Sequence, residues 1–145
     1  MAVIALKCPE INVTVVDSNS KKIEAWNGPT DKIPVYEPGL ERIIKKTRNK
    51  NLFFSSDIPK AINISEIIFM AVNTPTKKEG EGAGMASDLK YVEKCARDIA
   101  LYSNSDKIVV EKSTLPVRTA EKIKEILISE NKNHHFEILS NPEFL

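Results

Sequence analysis

A switch of hydrophobic period, repeated along the whole chain, constrains the fold more than any other feature. Short apolar runs, most of them β-branched, alternate with segments whose apolar residues recur every three or four positions. Short runs between turn signals read as buried strands, and the longer pattern reads as helices packed on them. Ile11 to Val16 predicts a first strand ending at Asp17, and Ser20 to Trp26 a short helix stopped by Asn27-Gly28-Pro29. Pro29, Pro34 and Pro38 predict an extended loop, after which Glu37-Pro38-Gly39 opens a helix to about Lys46. Asn51 to Ser55 predicts a second strand, Asp57 to Ile62 a short helix, and Ile67 to Val72 a third, fully buried strand. The loop beyond Thr76 carries Gly80, Gly82 and Gly84, whose alternation predicts mobility. Ser87-Asp88 then supplies an N-cap pair for a helix to about Tyr102. Lys107 to Glu111 predicts a fourth strand, Pro116 the start of a helix carrying Val117, Ala120, Ile123, Ile126 and Leu127, and Phe136 to Leu139 a fifth strand.

Short buried strands alternating with helices predict an α/β fold, a doubly wound parallel sheet of Rossmann-like type. Ligands of such sheets bind beyond the carboxyl ends of the strands. The residues to weigh are therefore those following Val16, Val72, Val110 and Leu139. At 145 residues the chain is the size of one domain, and 41% hydrophobic with 28% charged residues is ordinary for a globular protein. A net charge of +1 gives no strong field and by itself argues neither for nor against nucleic acid or anionic membrane; neither partner is expected. No apolar run is long enough for a transmembrane helix and the N-terminus lacks a signal-peptide pattern, while two distant cysteines are those of a reducing compartment, so a cytoplasmic protein is expected. Cys8 and Cys95 have no metal or redox spacing and are expected reduced and at least half-buried. His134 and His135, in a polar turn, are expected solvated. The cluster Lys45, Lys46, Arg48 and Lys50 reads as a solvated helix end favoured by the helix dipole.

Each strand end admits a plain reading beside a functional one. Asp17 either accepts both hydrogen bonds of an adenosine ribose or caps the next helix. Val72-Asn73-Thr74-Pro75-Thr76 offers hydroxyls and backbone groups in a turn. Ser113 and Thr114 read as caps of the helix begun at Pro116, a position that also attracts diphosphates. Glu143 is either an acid/base group or a solvent-facing carboxylate.

Taken together and in order, the strings are far more specific. Val15-Val16-Asp17, Ile33-Pro34-Val35-Tyr36-Glu37-Pro38-Gly39-Leu40, Val72-Asn73-Thr74-Pro75-Thr76, Asp88-Leu89-Lys90-Tyr91, Glu111-Lys112-Ser113-Thr114 and Ser140-Asn141-Pro142-Glu143-Phe144-Leu145 follow one another along essentially the whole chain. This resembles the nucleotide-sugar dehydrogenases that use NAD, above all the animal-type UDP-glucose 6-dehydrogenases, which oxidise UDP-glucose to UDP-glucuronate in two hydride transfers. The resemblance implies that Asp17 holds the adenosine ribose, with Lys22 where the family usually has arginine. It implies that Val72, Asn73, Thr74, Pro75, Thr76, Ser113, Thr114 and Leu115 line the NAD site. Thr114 would lie near the reacting centre, Glu143 would be the acid/base or water-positioning group, and Glu143, Phe144 and Leu145 would begin the substrate-binding segment. NAD and UDP-glucose are the implied partners, in a homo-oligomer for full-length members. Other members act on GDP-mannose or UDP-N-acetylmannosamine, and a non-catalytic degenerate copy or interaction module is the alternative in kind.

The same resemblance implies an incomplete NAD-binding domain over residues 1–145. The family's first strand and its G-x-G-x-x-G turn have no counterpart here, and Met1 to Leu6 match the helix that follows them. Nor is there a counterpart to the catalytic cysteine, the central helix or the UDP-binding domain, so no catalysis by this chain alone is expected. The first strand is central in the 3-2-1-4-5-6 order. Its apolar side chains, at roughly 1.5–3 kcal/mol each, weigh heavily against a net stability of about 5–15 kcal/mol. The remaining strands are therefore expected to split into two pieces or to re-pair in a new register, with exposed edges.

Overall fold

The computed structural model describes the chain apart from residues 81–82, 86, 114–115, 117 and 142–145. In order, the elements are α1 (Ala2–Lys7), β1 (Val13–Val16), α2 (Ser20–Asn27), a 3₁₀ turn (Thr30–Lys32), α3 (Leu40–Thr47), β2 (Leu52–Ser55), α4 (Ile58–Ile64), β3 (Ile67–Met70), α5 (Lys90–Tyr102), β4 (Lys107–Glu111), α6 (Thr119–Glu130) and β5 (Phe136–Ser140). All strand pairing within these elements is parallel, in two sheets of order β1-β2 and β3-β4-β5. The fold is the expected parallel, Rossmann-like α/β type, and of the two arrangements expected for the remaining strands the structure has the split into two sheets. The chain divides into two compact units, Met1–Ala61 and Ile62–Leu145.

In the first unit Val13 pairs with Leu52 and Val15 with Phe54. Because side chains alternate across a strand, these four share one face. That face builds the core: Ala5, Val13, Ile44 and Leu52 are buried, with Trp26, Ile33, Leu40 and Phe54 packed against them. Trp26 stacks on Phe54 with ring centroids 5.0 Å apart. Asn51 holds the unit together from within, its side-chain amide donating to the carbonyls of Ala5 (2.8 Å), Ile11 (3.1 Å) and, more weakly, Cys8 (3.4 Å). Arg48 is not the solvated cation its cluster suggests. Its guanidinium donates to the carbonyls of Trp26 and Gly28, which terminate α2.

In the second unit α5 buries Val92, Ala96, Ile99 and Ala100, and α6 buries Thr119, Ile123 and Leu127, stripes spaced by one or two helical turns. The two helices pack together, and α6 packs on β5. Met70, Val109 and Phe136 are buried on one face of the sheet. The other face leaves Ile67, Phe69, Ile108 and Leu139 exposed by 39–55%. Burial of β3 throughout, expected from its unbroken apolar run, is therefore corrected: only Met70 is buried there.

Lys107, although 3% exposed, has its ammonium fully engaged by the carbonyls of Asn63 and Ser65 and the hydroxyl of Ser105. These bonds satisfy carbonyls left open at the carboxyl end of α4. Desolvation nonetheless pulls its pKa down. The α5–α6 contact is rimmed by ions, with Glu93 accepting from Lys122 and lying 3.7 Å from Arg97. The Lys122 hydrogen bond leads the causes that hold the Glu93 carboxyl below its ordinary value of 4.5, against a desolvation that raises it. A carboxylate depressed on folding contributes stability above its unfolded pKa and loses it as pH falls through the folded one. Glu93→Gln is therefore expected to cost only about 0.5 kcal/mol at neutral pH and to flatten the acid limb below pH 4.5. Urea midpoints across that range, parallel in the two proteins, would contradict it.

Two helix starts differ from expectation. The last helix begins at Thr119, not Pro116, because Arg118 adopts a left-handed conformation (φ 71°) that ends the preceding turn. The N-cap position of α5 is Leu89, although Asp88 still accepts from the Lys90 amide at 3.1 Å. In the glycine loop Gly80 and Gly84 take φ near +78°, where a Cβ would be strained, and the Gly84 amide donates to the Lys77 carbonyl. The expected mobility of that loop falls in part on residues outside those described.

Candidate functional site

The strand ends carry two groups of residues, one in each unit. In the first, β1 runs out into Asp17, whose side chain is 35% exposed. Asn19, two residues on, is the N-cap of α2, and its side chain accepts from the Lys21 and Lys22 amides. The Asp17 carboxylate accepts from the Asn19 amide at 2.8 Å and from the Lys22 ammonium at 3.2 Å. The Asn19 hydrogen bond is the largest influence on its pKa. With Lys22 it outweighs desolvation and holds the group below its ordinary 3.8. An ionised carboxylate at a strand's carboxyl end, open to solvent, has the acceptors that the diol of a dinucleotide's ribose requires. Capping α2, the competing role considered for Asp17, falls instead to Asn19.

In the second unit the segment after β3 is tied back to its neighbours. The Ser113 hydroxyl donates to the Val72 carbonyl at 2.8 Å, and the Lys112 amide to the Met70 carbonyl at 2.9 Å. Ser113 thus braces the Val72–Thr76 segment, and because the N-cap position of α6 is Arg118, the reading of Ser113 as that helix's cap is corrected. Thr76 pairs with Ser87 in an antiparallel bridge, and the Asp88 amide donates to the Pro75 carbonyl. Asn73, Pro75 and Thr76 remain exposed, and Val72 and Thr74 half-buried. Thr114, Leu115, Glu143, Phe144 and Leu145 lie outside the described residues. An open groove of roughly 380 Å³, lined among others by Leu89, Arg118, Thr119 and Lys122, lies beside the amino ends of α5 and α6.

Glu111 was not singled out from the sequence. At the end of β4 it is 4% exposed and accepts from the Ser140 hydroxyl at 2.9 Å through one oxygen, and among the described residues the other has no donor. Its carbonyl accepts from the Asn141 amide, so Glu111 binds the ends of β4 and β5 together. A carboxylate closing the apolar run Ile108-Val109-Val110 was the signal available.

Other reactive side chains are placed as expected or nearly so. Cys8 and Cys95 are free and half-buried. Burial, with Asp98 nearby, pushes the Cys95 thiol up to about 11, which removes the thiolate a nucleophile needs. His135 is exposed and bonds to Glu137 at 2.7 Å, whereas His134 is half-buried and faces Asp106 at 4.0 Å. Among the described residues no cluster of three or more metal-ligating side chains occurs, and no helix is long and apolar enough to cross a membrane.

Comparison with known proteins supplies the remaining findings. The profile of the NAD-binding domain of the UDP-glucose/GDP-mannose dehydrogenase family matches residues 1–145. UDP-glucose 6-dehydrogenase 1 of Arabidopsis thaliana is 60% identical over 145 residues, all of this chain and 30% of that protein. The UDP-glucose 6-dehydrogenase of Drosophila melanogaster is 59% identical over 99% of this chain and 30% of its own length. The chain thus spans about 30% of these relatives. Among solved structures, the GDP-mannose dehydrogenase of Pseudomonas aeruginosa superposes with a TM-score of 0.82 at 29% identity, over 99% of this chain and 33% of that one. The UDP-glucose dehydrogenase of Pyrobaculum islandicum does so with 0.78 at 30% identity, over 92% and 31%. From the ordered strand-end motifs and these matches alike, the chain belongs to the UDP-glucose/GDP-mannose dehydrogenase family, as its NAD-binding domain.

Proposed function

We propose that these residues form the dinucleotide-binding part of an NAD-dependent UDP-glucose 6-dehydrogenase acting in the cytoplasm. The observation that carries this is the Asp17 carboxylate, ionised and solvent-accessible at the end of a parallel strand. Identity of 60% and 59% to the UDP-glucose 6-dehydrogenases of Arabidopsis thaliana and Drosophila melanogaster supports UDP-glucose as the sugar nucleotide. When bound, NAD accepts a hydride; the work of the chain is to hold and orient it. Asp17 accepts the ribose hydroxyls. The Val72–Thr76 segment, braced by Ser113 and Asp88, offers backbone and hydroxyl groups along the cofactor, and Glu111 secures the strand ends that lead to Ser113–Leu115 and to Glu143. Thr114 and Glu143 take the roles nearest the reacting atoms, with Phe144 and Leu145 leading towards the sugar nucleotide.

Calorimetric titration of the chain with NAD tests this reading. Saturable binding is expected, and Asp17→Ala should weaken it about tenfold, the loss of hydrogen bonds to a charged acceptor. Unchanged affinity in Asp17→Ala, with the variant's circular dichroism intact, would remove Asp17 from the site.

A further inference from the structure

The carboxyl end of α2 carries chemistry that the cofactor site does not use. Asn27 is the last residue of that helix, is exposed to solvent, and is the only asparagine of the chain followed by a glycine. The fold does not need glycine there. Gly28 has φ −75° and ψ −166°, the extended backbone that any residue before a proline takes. A Cβ on it would meet the Glu24 and Ala25 carbonyl oxygens at 3.4 Å, an ordinary contact. What glycine does supply is a backbone nitrogen with no side chain beside it to shield it.

That nitrogen is loosely held. Its N–H donates to the Ala25 carbonyl at 3.3 Å, a long bond in the last turn of a helix, where ends fray. Arg48 grips the Trp26 and Gly28 carbonyls at 2.8 and 2.7 Å, on either side of the Asn27–Gly28 peptide. Turning that peptide brings the Gly28 nitrogen to the Asn27 side-chain carbon at the cost of the long bond, against the restraint of the two gripped carbonyls. The Asn27 amide itself donates through Nδ2 to the Phe54 carbonyl at 3.1 Å, so its loss would cut a tie between α2 and β2.

We propose that Asn27 is a self-modification site, where the folded chain converts asparagine to aspartate and isoaspartate through attack by Gly28. The Gly28 nitrogen bonds to Asn27 Cγ and gives up its proton. The Cγ–Nδ2 bond breaks, and ammonia leaves. Water then opens the resulting succinimide at either carbonyl, and nothing is oxidised or reduced. Both products set a carboxylate against the Phe54 carbonyl and at the C-terminus of α2, where the helix dipole opposes negative charge. Isoaspartate also adds a methylene to the backbone between the two carbonyls that Arg48 spans.

The test holds the purified chain in mildly alkaline buffer and follows the tryptic peptide of residues 23–32 by mass spectrometry. Expected is the mass gain of amide to acid in this peptide ahead of every other asparagine peptide, with isoaspartate captured by an isoaspartyl methyltransferase. The rate should rise with pH, because the attacking nitrogen must lose its proton, and should be slower than in the urea-denatured chain, where Arg48 no longer grips the turn. Gly28→Ala, with circular dichroism matching the parent, should lose most of the conversion. An equal rate in Gly28→Ala overturns the proposal. So does a folded parent that stays unconverted over a time in which the denatured chain converts.

Discussion

Asn51→Asp is expected to cost the fold about 3–5 kcal/mol although it changes no volume. The Asn51 side chain, 8% exposed, is used as a donor, aimed at the carbonyls of Ala5, Ile11 and Cys8. Those carbonyls belong to α1 and to the turn leading into β1. The Asn51 carbonyl in turn accepts from the Val13 amide, so this one residue registers α1, β1 and β2. Aspartate would place an acceptor against acceptors, with a charge in a buried position, and leave at least two carbonyls unsatisfied. Set against a net stability of about 5–15 kcal/mol, that is enough to unfold a marginal chain. Denaturant titrations of parent and variant would show it. The loss should shrink as pH falls, because a protonated carboxyl regains one donor. A variant within about 1 kcal/mol of the parent at neutral pH would show that the three carbonyls do not depend on Asn51.

The second large effect is in β5. Phe136→Ala should remove about 3–5 kcal/mol, and Leu139→Ala, three residues away in the same strand, no more than about 0.5 kcal/mol. Both are apolar, but they lie on opposite faces. Phe136 is 1% exposed on the face that α6 covers, paired in register with Lys107, whereas Leu139 is 55% exposed beside Val110. The contrast reads out register directly, since a slip of one residue would exchange the two faces. Comparable losses in the two variants, by urea midpoint, would mean that the strand is not seated as described.

The positions of the strands were legible because each is a short apolar run bounded by polar or turn residues, and β4 matches the expected Lys107–Glu111 at both ends. What covers a strand was not legible. Ile67 to Met70 has the same character throughout, yet Met70 is buried and Ile67 is 52% exposed, because burial depends on which elements pack on each face. The start of the last helix is set by a related effect. Pro116 is a fair helix start by local preference, but the left-handed turn at Arg118 delays it to Thr119. In the candidate site, Asp17 stood out by its place at a strand's end. Its pairing with Lys22 did not, since five residues separate them and the side chain must fold back to meet it. Glu111 shows in the sequence only as a carboxylate closing an apolar run, and its bond to Ser140, 29 positions on, follows from strand pairing.

Sequence by itself thus determined the family, the parallel α/β class, and the candidate residues at the strand ends, because these follow from the order of residue types along the chain. Only the tertiary structure decided that the strands divide into two sheets and do not re-pair, which face of β3-β4-β5 is buried, and which side chains reach Val72 and Glu111. Those outcomes depend on groups far apart in the chain coming within about 3 Å of one another, and local pattern carries no record of such distances.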